Sequence, residues 1–159
     1  MKTMMALCAG LITGGLFLCP LSVTAADYQN GVIATTLKKS NITSNGQKIV
    51  YPVTDAAEVT ALLVNVPPGA ETGWHSHPTP VYAYVQAGTL DVELEDGQIS
   101  TFHSGDAIIE VVNTLHNGKN RGTEIVRLVV FYTGIAGMPT TVKAMPVSVS
   151  KPMAVNNLQ

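Results

Sequence analysis

Short apolar runs, broken at close intervals by turn residues, cover most of the chain. Lys48 to Val53 is rich in β-forming residues and is interrupted by Pro52. Glu58 to Val66 is a longer run, closed by Pro67-Pro68-Gly69, a strong turn signal. Val81 to Gln86 follows Pro78 and Pro80, and Ala87-Gly88 turns it. Thr89 to Leu94 alternates apolar and polar positions, and Asp96-Gly97 marks a hairpin into Ile99 to Phe102. Ser104-Gly105-Asp106 is a further turn before Ala107 to Val112, and Ile125 to Tyr132 is the last clear run. No stretch after residue 26 carries the 3.6-residue apolar period of an amphipathic helix. Many short strands separated by turns predict an all-β sandwich or barrel. Its interior should be lined from Glu58–Val66, Val81–Gln86, Ala107–Val112 and Ile125–Tyr132.

The first 26 residues break this pattern. Lys2 precedes an apolar stretch from Met4 to Leu18, and Val23-Thr24-Ala25 or Thr24-Ala25-Ala26 offers small residues for cleavage. That tripartite order predicts a secretory signal and an exported, periplasmic or secreted, chain beginning at Ala26 or Asp27. Both cysteines, Cys8 and Cys19, fall inside the signal, so the exported chain would have no disulfide and must be held by its core alone. The expected organisation is a signal over 1–26, an N-terminal arm over 27–47, a barrel over 48–134 and a C-terminal tail over 135–159. The whole sequence has 9 basic and 11 acidic residues in 159, with no basic stripe, so nothing points to a nucleic-acid partner. No membrane attachment is expected once the signal is gone; a lipidated Cys19 is the weaker reading, because Leu18 is too bulky for the usual small residue before such a Cys.

Candidate chemistry centres on Gly69 to Gly88. His75 and His77 lie two residues apart, so on a strand both imidazoles face the same side. Neutral imidazole is the commonest protein ligand for a transition metal, and two on one face make half of a site. His116 and Asn120 follow Gly105 further along.

The spacings resemble the cupin superfamily. Its first motif runs Gly, five residues, His-x-His, three or four residues, Glu, six residues, Gly, and Gly69, His75, His77 and Gly88 match it. The second motif runs Gly, five residues, Pro-x-Gly, two residues, His, three residues, Asn, and Gly105, His116 and Asn120 match it. Three positions depart. The motif Glu falls on Val81, and the Pro and Gly of the second motif are Val111 and Asn113. The resemblance implies a single double-stranded β-helix, or jelly-roll, barrel. It implies one divalent transition metal (Fe, Mn, Zn, Ni or Cu) held by His75, His77 and His116, with their reactive nitrogens about 3–4 Å apart as ligands of one ion require.

Two carboxylates offer themselves for the position left by Val81. Glu71 lies four residues before His75, and Glu110 six before His116. Each is a candidate distant ligand, partner for an imidazole N–H, or general base. Tyr82, Tyr84 and Trp74 are out of phase with the histidines and should pack outside the barrel, and His103 should lie on the surface. Arg127 either reaches into the cavity to hold a substrate carboxylate or is exposed.

Cupins that lack the Glu include thiol and diketone dioxygenases, which implies dioxygenase-like chemistry on a small anionic organic substrate. The competing readings are a non-catalytic cupin binding a sugar or aromatic ligand and a purely structural barrel. Cupins are often dimers, and edge strands invite pairing, so a homodimer is expected.

Overall fold

The computed structural model describes residues 31–145, so the expected signal, the start of the arm and the end of the tail lie outside the described residues. Among the described residues there is no helix, and nine strands form two antiparallel sheets. They are β1 (Ala57–Val66), β2 (His75–Ser76), β3 (Val81–Ala87), β4 (Thr89–Leu94), β5 (Ile99–His103), β6 (Ala107–Ile109), β7 (His116–Lys119), β8 (Val126–Ile135) and β9 (Val142–Lys143). One sheet has the order β1-β8-β3-β6 and the other β5-β4-β7-β2-β9. The fold is all-β with two sheets, as the pattern predicts, and is consistent with the jelly roll that the resemblance implies.

The four runs expected to line the interior, β1, β3, β6 and β8, are the four strands of the first sheet. Alternation decides which side chains do so. Val81, Ala83 and Val85 on β3 are buried, as are Val126, Leu128, Val130 and Tyr132 on β8, while Tyr84, Arg127 and Phe131 between them are exposed. Leu90 of the second sheet joins this core from β4. Burying that many aliphatic side chains, at about 1.5–3 kcal/mol each, gives the two sheets their main source of stability.

Three local departures from the sequence pattern have physical reasons. Lys48 to Val53 is not a strand; Val50, Tyr51 and Val53 are exposed, and only Lys48 forms a bridge, to Ile42. Its residues favour extended backbone but have no neighbouring strand to bond. Just before it, Ser44 N donates to Ile109 O and the Gln47 side chain bonds both backbone groups of Val112, so the arm hooks onto the free edge of β6. β6 itself ends at Ile109 rather than Val112, because there the chain leaves the first sheet and crosses towards β7 in the second. β7 and β9 are strands that periodicity does not reveal.

At Gly88 the motif glycine is required twice over. Its φ is +79°, and a Cβ would come within 2.9 Å of Ile125 O and 3.0 Å of Val126 Cα. At Asn113, where the second motif has its Gly, φ is +52°. Asn is among the few residues with a side chain that visit this left-handed region readily.

Candidate metal centre

His75 lies on β2, His77 just beyond it, and His116 opens β7 directly opposite His75. The strand pairing therefore brings a third imidazole to the face that the first two already share. The ring centroids lie 4.4 Å apart for His75 and His116, 4.9 Å for His75 and His77, and 5.0 Å for His77 and His116. One nitrogen from each ring lies within 4.8 Å of the others. That spread is wider than the 3–4 Å expected of ligands round one ion, and a carboxylate stands against two of the rings.

The outward nitrogens fix the inward ones. His75 Nδ1 lies 2.6 Å from Gly73 O, His77 Nδ1 2.8 Å from Thr140 O, and His116 Nδ1 2.9 Å from Thr114 O. A carbonyl can only accept, so each Nδ1 carries the proton and donates. In the neutral rings every Nε2 is then a bare acceptor. Backbone carbonyls in this role orient ligating imidazoles in metal sites.

Glu110 completes the group from the other sheet. Its Oε2 is 3.2 Å from His77 Nε2 and 3.4 Å from His116 Nε2. Burial would raise the Glu110 pKa, but contacts with His116 and His77 outweigh that and hold it down at about 2. It is therefore ionised at neutral pH and a weak base. Burial opposes protonation of His116, yet Glu110 and the Thr114 carbonyl raise its pKa overall. His75 is lowered, chiefly by burial. With the rings neutral, three imidazole acceptors and a carboxylate thus converge, and the buried His116 Nε2 has no hydrogen-bond partner among the described residues; a proton on that ring would pair it with Glu110, 3.4 Å away. A buried polar atom without a partner costs about 1–3 kcal/mol; a divalent cation bound by all four groups would remove that cost. The residues fit a metal.

The surrounding cavity, about 60 Å³, lies between the sheets. Val64, Leu128 and Val130 wall it on one side, and Leu90 and Val92 on the other. Tyr132 also lines it and stacks edge-on against His77, with ring centroids 5.4 Å apart. Burial, then the charge of Glu110, raises the Tyr132 pKa, so its hydroxyl keeps its proton at neutral pH.

Other candidates from the sequence lie elsewhere. Glu71 is exposed, accepts from Asn117 Nδ2 and lies 3.8 Å from Lys119 Nζ. It lies beside Lys119 and does not line the cavity, because it pairs with Lys119, whose side chain is on the opposite face of β7 from His116. Arg127 is exposed and absent from the cavity wall. Trp74, Tyr84 and His103 are exposed, and Tyr82 turns outward to hydrogen-bond Tyr51. Val81 is buried in the core and does not line the cavity, so no gap opens there. Tyr132 and the Thr140 carbonyl were not singled out by the sequence reading. Alternation along Val126, Leu128 and Val130 could have found the tyrosine, whereas no pattern points to a backbone carbonyl 63 residues from its histidine.

Residues 62–132 match the Cupin domain family. This segment is a cupin domain. Cupins commonly bind a metal, and both motif segments fall inside the match. Among proteins of known function, the (R)-mandelonitrile lyase of Granulicella tundricola is 34% identical over 59 residues, covering 37% of this chain and 45% of the lyase. The match thus spans less than half the length of that relative. Among solved structures, the DMSP lyase DddQ of Ruegeria pomeroyi overlaps with a TM-score of 0.49 and 19% identity, covering 56% of this chain and 44% of the other. The polyketide cyclase RemF of Streptomyces resistomycificus overlaps with a TM-score of 0.48 and 19% identity, covering 57% and 63%. At these scores the overlaps say nothing about the chemistry of this chain.

Proposed function

We propose that this protein is an exported, metal-dependent cupin enzyme that cleaves a bond beside an oxygen-bearing carbon in a small organic molecule. The observation that carries the reading is the grouping of His75, His77 and His116, one nitrogen of each within 4.8 Å of the others, each ring oriented by a carbonyl at its far side. A bound divalent ion would supply Lewis acidity towards one substrate oxygen. The chain's residues do the rest. The carbonyl bonds keep the three rings from turning. Val64, Leu90, Val92, Leu128 and Val130 exclude water and take the apolar part of the substrate. Tyr132 keeps a proton at its hydroxyl on the cavity wall, available to a developing negative charge.

Size limits the substrate. A cavity of about 60 Å³ is well below the roughly 150 Å³ that takes up benzene. It accepts a reacting group of a few atoms, with any ring left at the mouth. The lyase relative supports this chemistry, since (R)-mandelonitrile carries its oxygen and its scissile bond on one carbon. Metal-loaded protein should release a carbonyl product from a panel of small hydroxynitriles and other 2-hydroxy compounds, followed by absorbance. No turnover of any of them with metal bound would contradict the lyase reading.

Val81 at the motif's Glu position favours a second reading, oxygen-dependent cleavage of a small anionic substrate. Such chemistry calls for an open three-histidine centre, whereas Glu110 stands beside two of the rings and, among the described residues, no Lys or Arg lines the cavity. Oxygen uptake with anionic substrates, and none of the lyase activity, would favour it. Tight ligand binding without turnover in either assay would favour a binding module.

A further inference from the structure

The position that the motif gives to a carboxylate is Val81, yet a carboxylate stands at the site. The β3–β6 register explains how. Tyr82 pairs with Ile109, Ala83 with Ile108 and Tyr84 with Ala107. One step further places Val81 opposite Glu110, and Glu110 N donates to Val81 O at 2.9 Å. Residues directly opposed on antiparallel strands point to the same face, with Cβ atoms about 4.5–5.5 Å apart. A carboxylate at 110 therefore begins one strand away from a carboxylate at 81 and covers the same part of the interior. The two methylenes of Glu span the difference.

The distances agree with shared coordination. Ligand atoms about 2.0–2.1 Å from one ion lie roughly 2.9 Å apart in an octahedron and 3.4 Å in a tetrahedron. Glu110 Oε2 is 3.2 Å from His77 Nε2 and 3.4 Å from His116 Nε2. Both nitrogens are acceptors, because their Nδ1 atoms donate to Thr140 O and Thr114 O. With both rings neutral, a carboxylate oxygen facing two such lone pairs is repelled; a metal ion among them, or a proton on one ring, relieves that repulsion.

Resting on the three-histidine metal reading, we propose that Glu110 is a metal ligand, supplying from across the β3–β6 pair the carboxylate that position 81 lacks. Three neutral imidazoles, one carboxylate and a divalent ion leave a net charge of +1. The centre is then of the carboxylate-bearing kind, although its motif is incomplete.

Cobalt(II) binding to the metal-stripped full chain tests this, since the visible spectrum of the ion reports its ligands. Four variants are compared with the wild type: His77→Ala, Glu110→Gln, Glu71→Gln and the double exchange Val81→Glu/Glu110→Val. Loss of an outer partner of a ligand costs about 10–100-fold in affinity, so loss of a ligand should cost at least about tenfold. Glu110→Gln should therefore bind at least tenfold more weakly, with a changed spectrum. The double exchange should return affinity and spectrum towards the wild type, and Glu71→Gln should match the wild type throughout. Unchanged affinity in Glu110→Gln, with His77→Ala still defective, would overturn the role of Glu110 alone. Loss in Glu110→Gln without recovery in the double exchange would overturn the exchange of positions. Wild-type binding no stronger than that of His77→Ala would overturn the underlying metal reading as well.

Discussion

Asn113 and Gly88 show how much one residue's backbone decides. Asn113 holds a φ of +52° where the chain crosses between sheets. A β-branched residue there should cost about 1–2 kcal/mol, the penalty of the left-handed region. We expect Asn113→Val to lose that much stability in chemical denaturation and Asn113→Gly to stay near the wild type. Equal stability of the two variants would contradict the account. Charge at the site gives a second expectation. His116, though buried, is held above the ordinary imidazole pKa beside Glu110, so protons compete with metal at and above about pH 6.5. Ligation requires the neutral ring. Metal affinity measured by calorimetry should rise as pH increases from about 6 to about 8, and a flat profile would speak against His116 as a ligand. At this scale the three histidines were legible because strand parity and motif spacing act on residue type directly. The role of Glu110 was only half legible: it depends on the register with Val81, which no single strand contains.

Among the elements, the long alternating runs were readable and the short ones were not. β3 and β8 alternate buried and exposed residues along most of their length, so period two identifies them. β7 reads His-Asn-Gly-Lys, with three consecutive residues buried; it is held by its neighbours rather than by an apolar pattern. Lys48 to Val53 shows the converse, β-forming residues with no partner strand. β9 matters beyond its two residues. It pairs with β2 through His75 and Ser76, and just before it Thr140 O accepts from His77 Nδ1. Truncation after Gly137 removes that acceptor and leaves every histidine in place. Metal affinity should then fall by about 10–100-fold, measured by competition with a chelating dye, while the barrel still melts cooperatively. Unchanged affinity would show that the carbonyl does not position His77.

At the largest scale, the described strands form a two-sheet barrel whose edges and interior do different work. β1 is the outer strand of its sheet, and Val59, Leu62 and Leu63 along it are exposed, with Phe131 beside them on β8. Only one residue of β1 is charged, so little on this edge opposes pairing. A homodimer is the expected state in solution, and a monomer by light scattering at micromolar concentration would contradict it. The overall class was legible because turn residues recur at short intervals, whereas the cavity's size and lining depend on how two sheets face each other. The central claim is that His75, His77 and His116 hold one metal ion in that cavity. Elemental analysis of protein purified from its native compartment tests it most directly, with the His75→Ala/His77→Ala/His116→Ala variant alongside. The account predicts close to one divalent transition-metal ion per wild-type chain and almost none in the variant. Equal metal content in the two proteins, or none in the wild type even after metal supplementation, would contradict it.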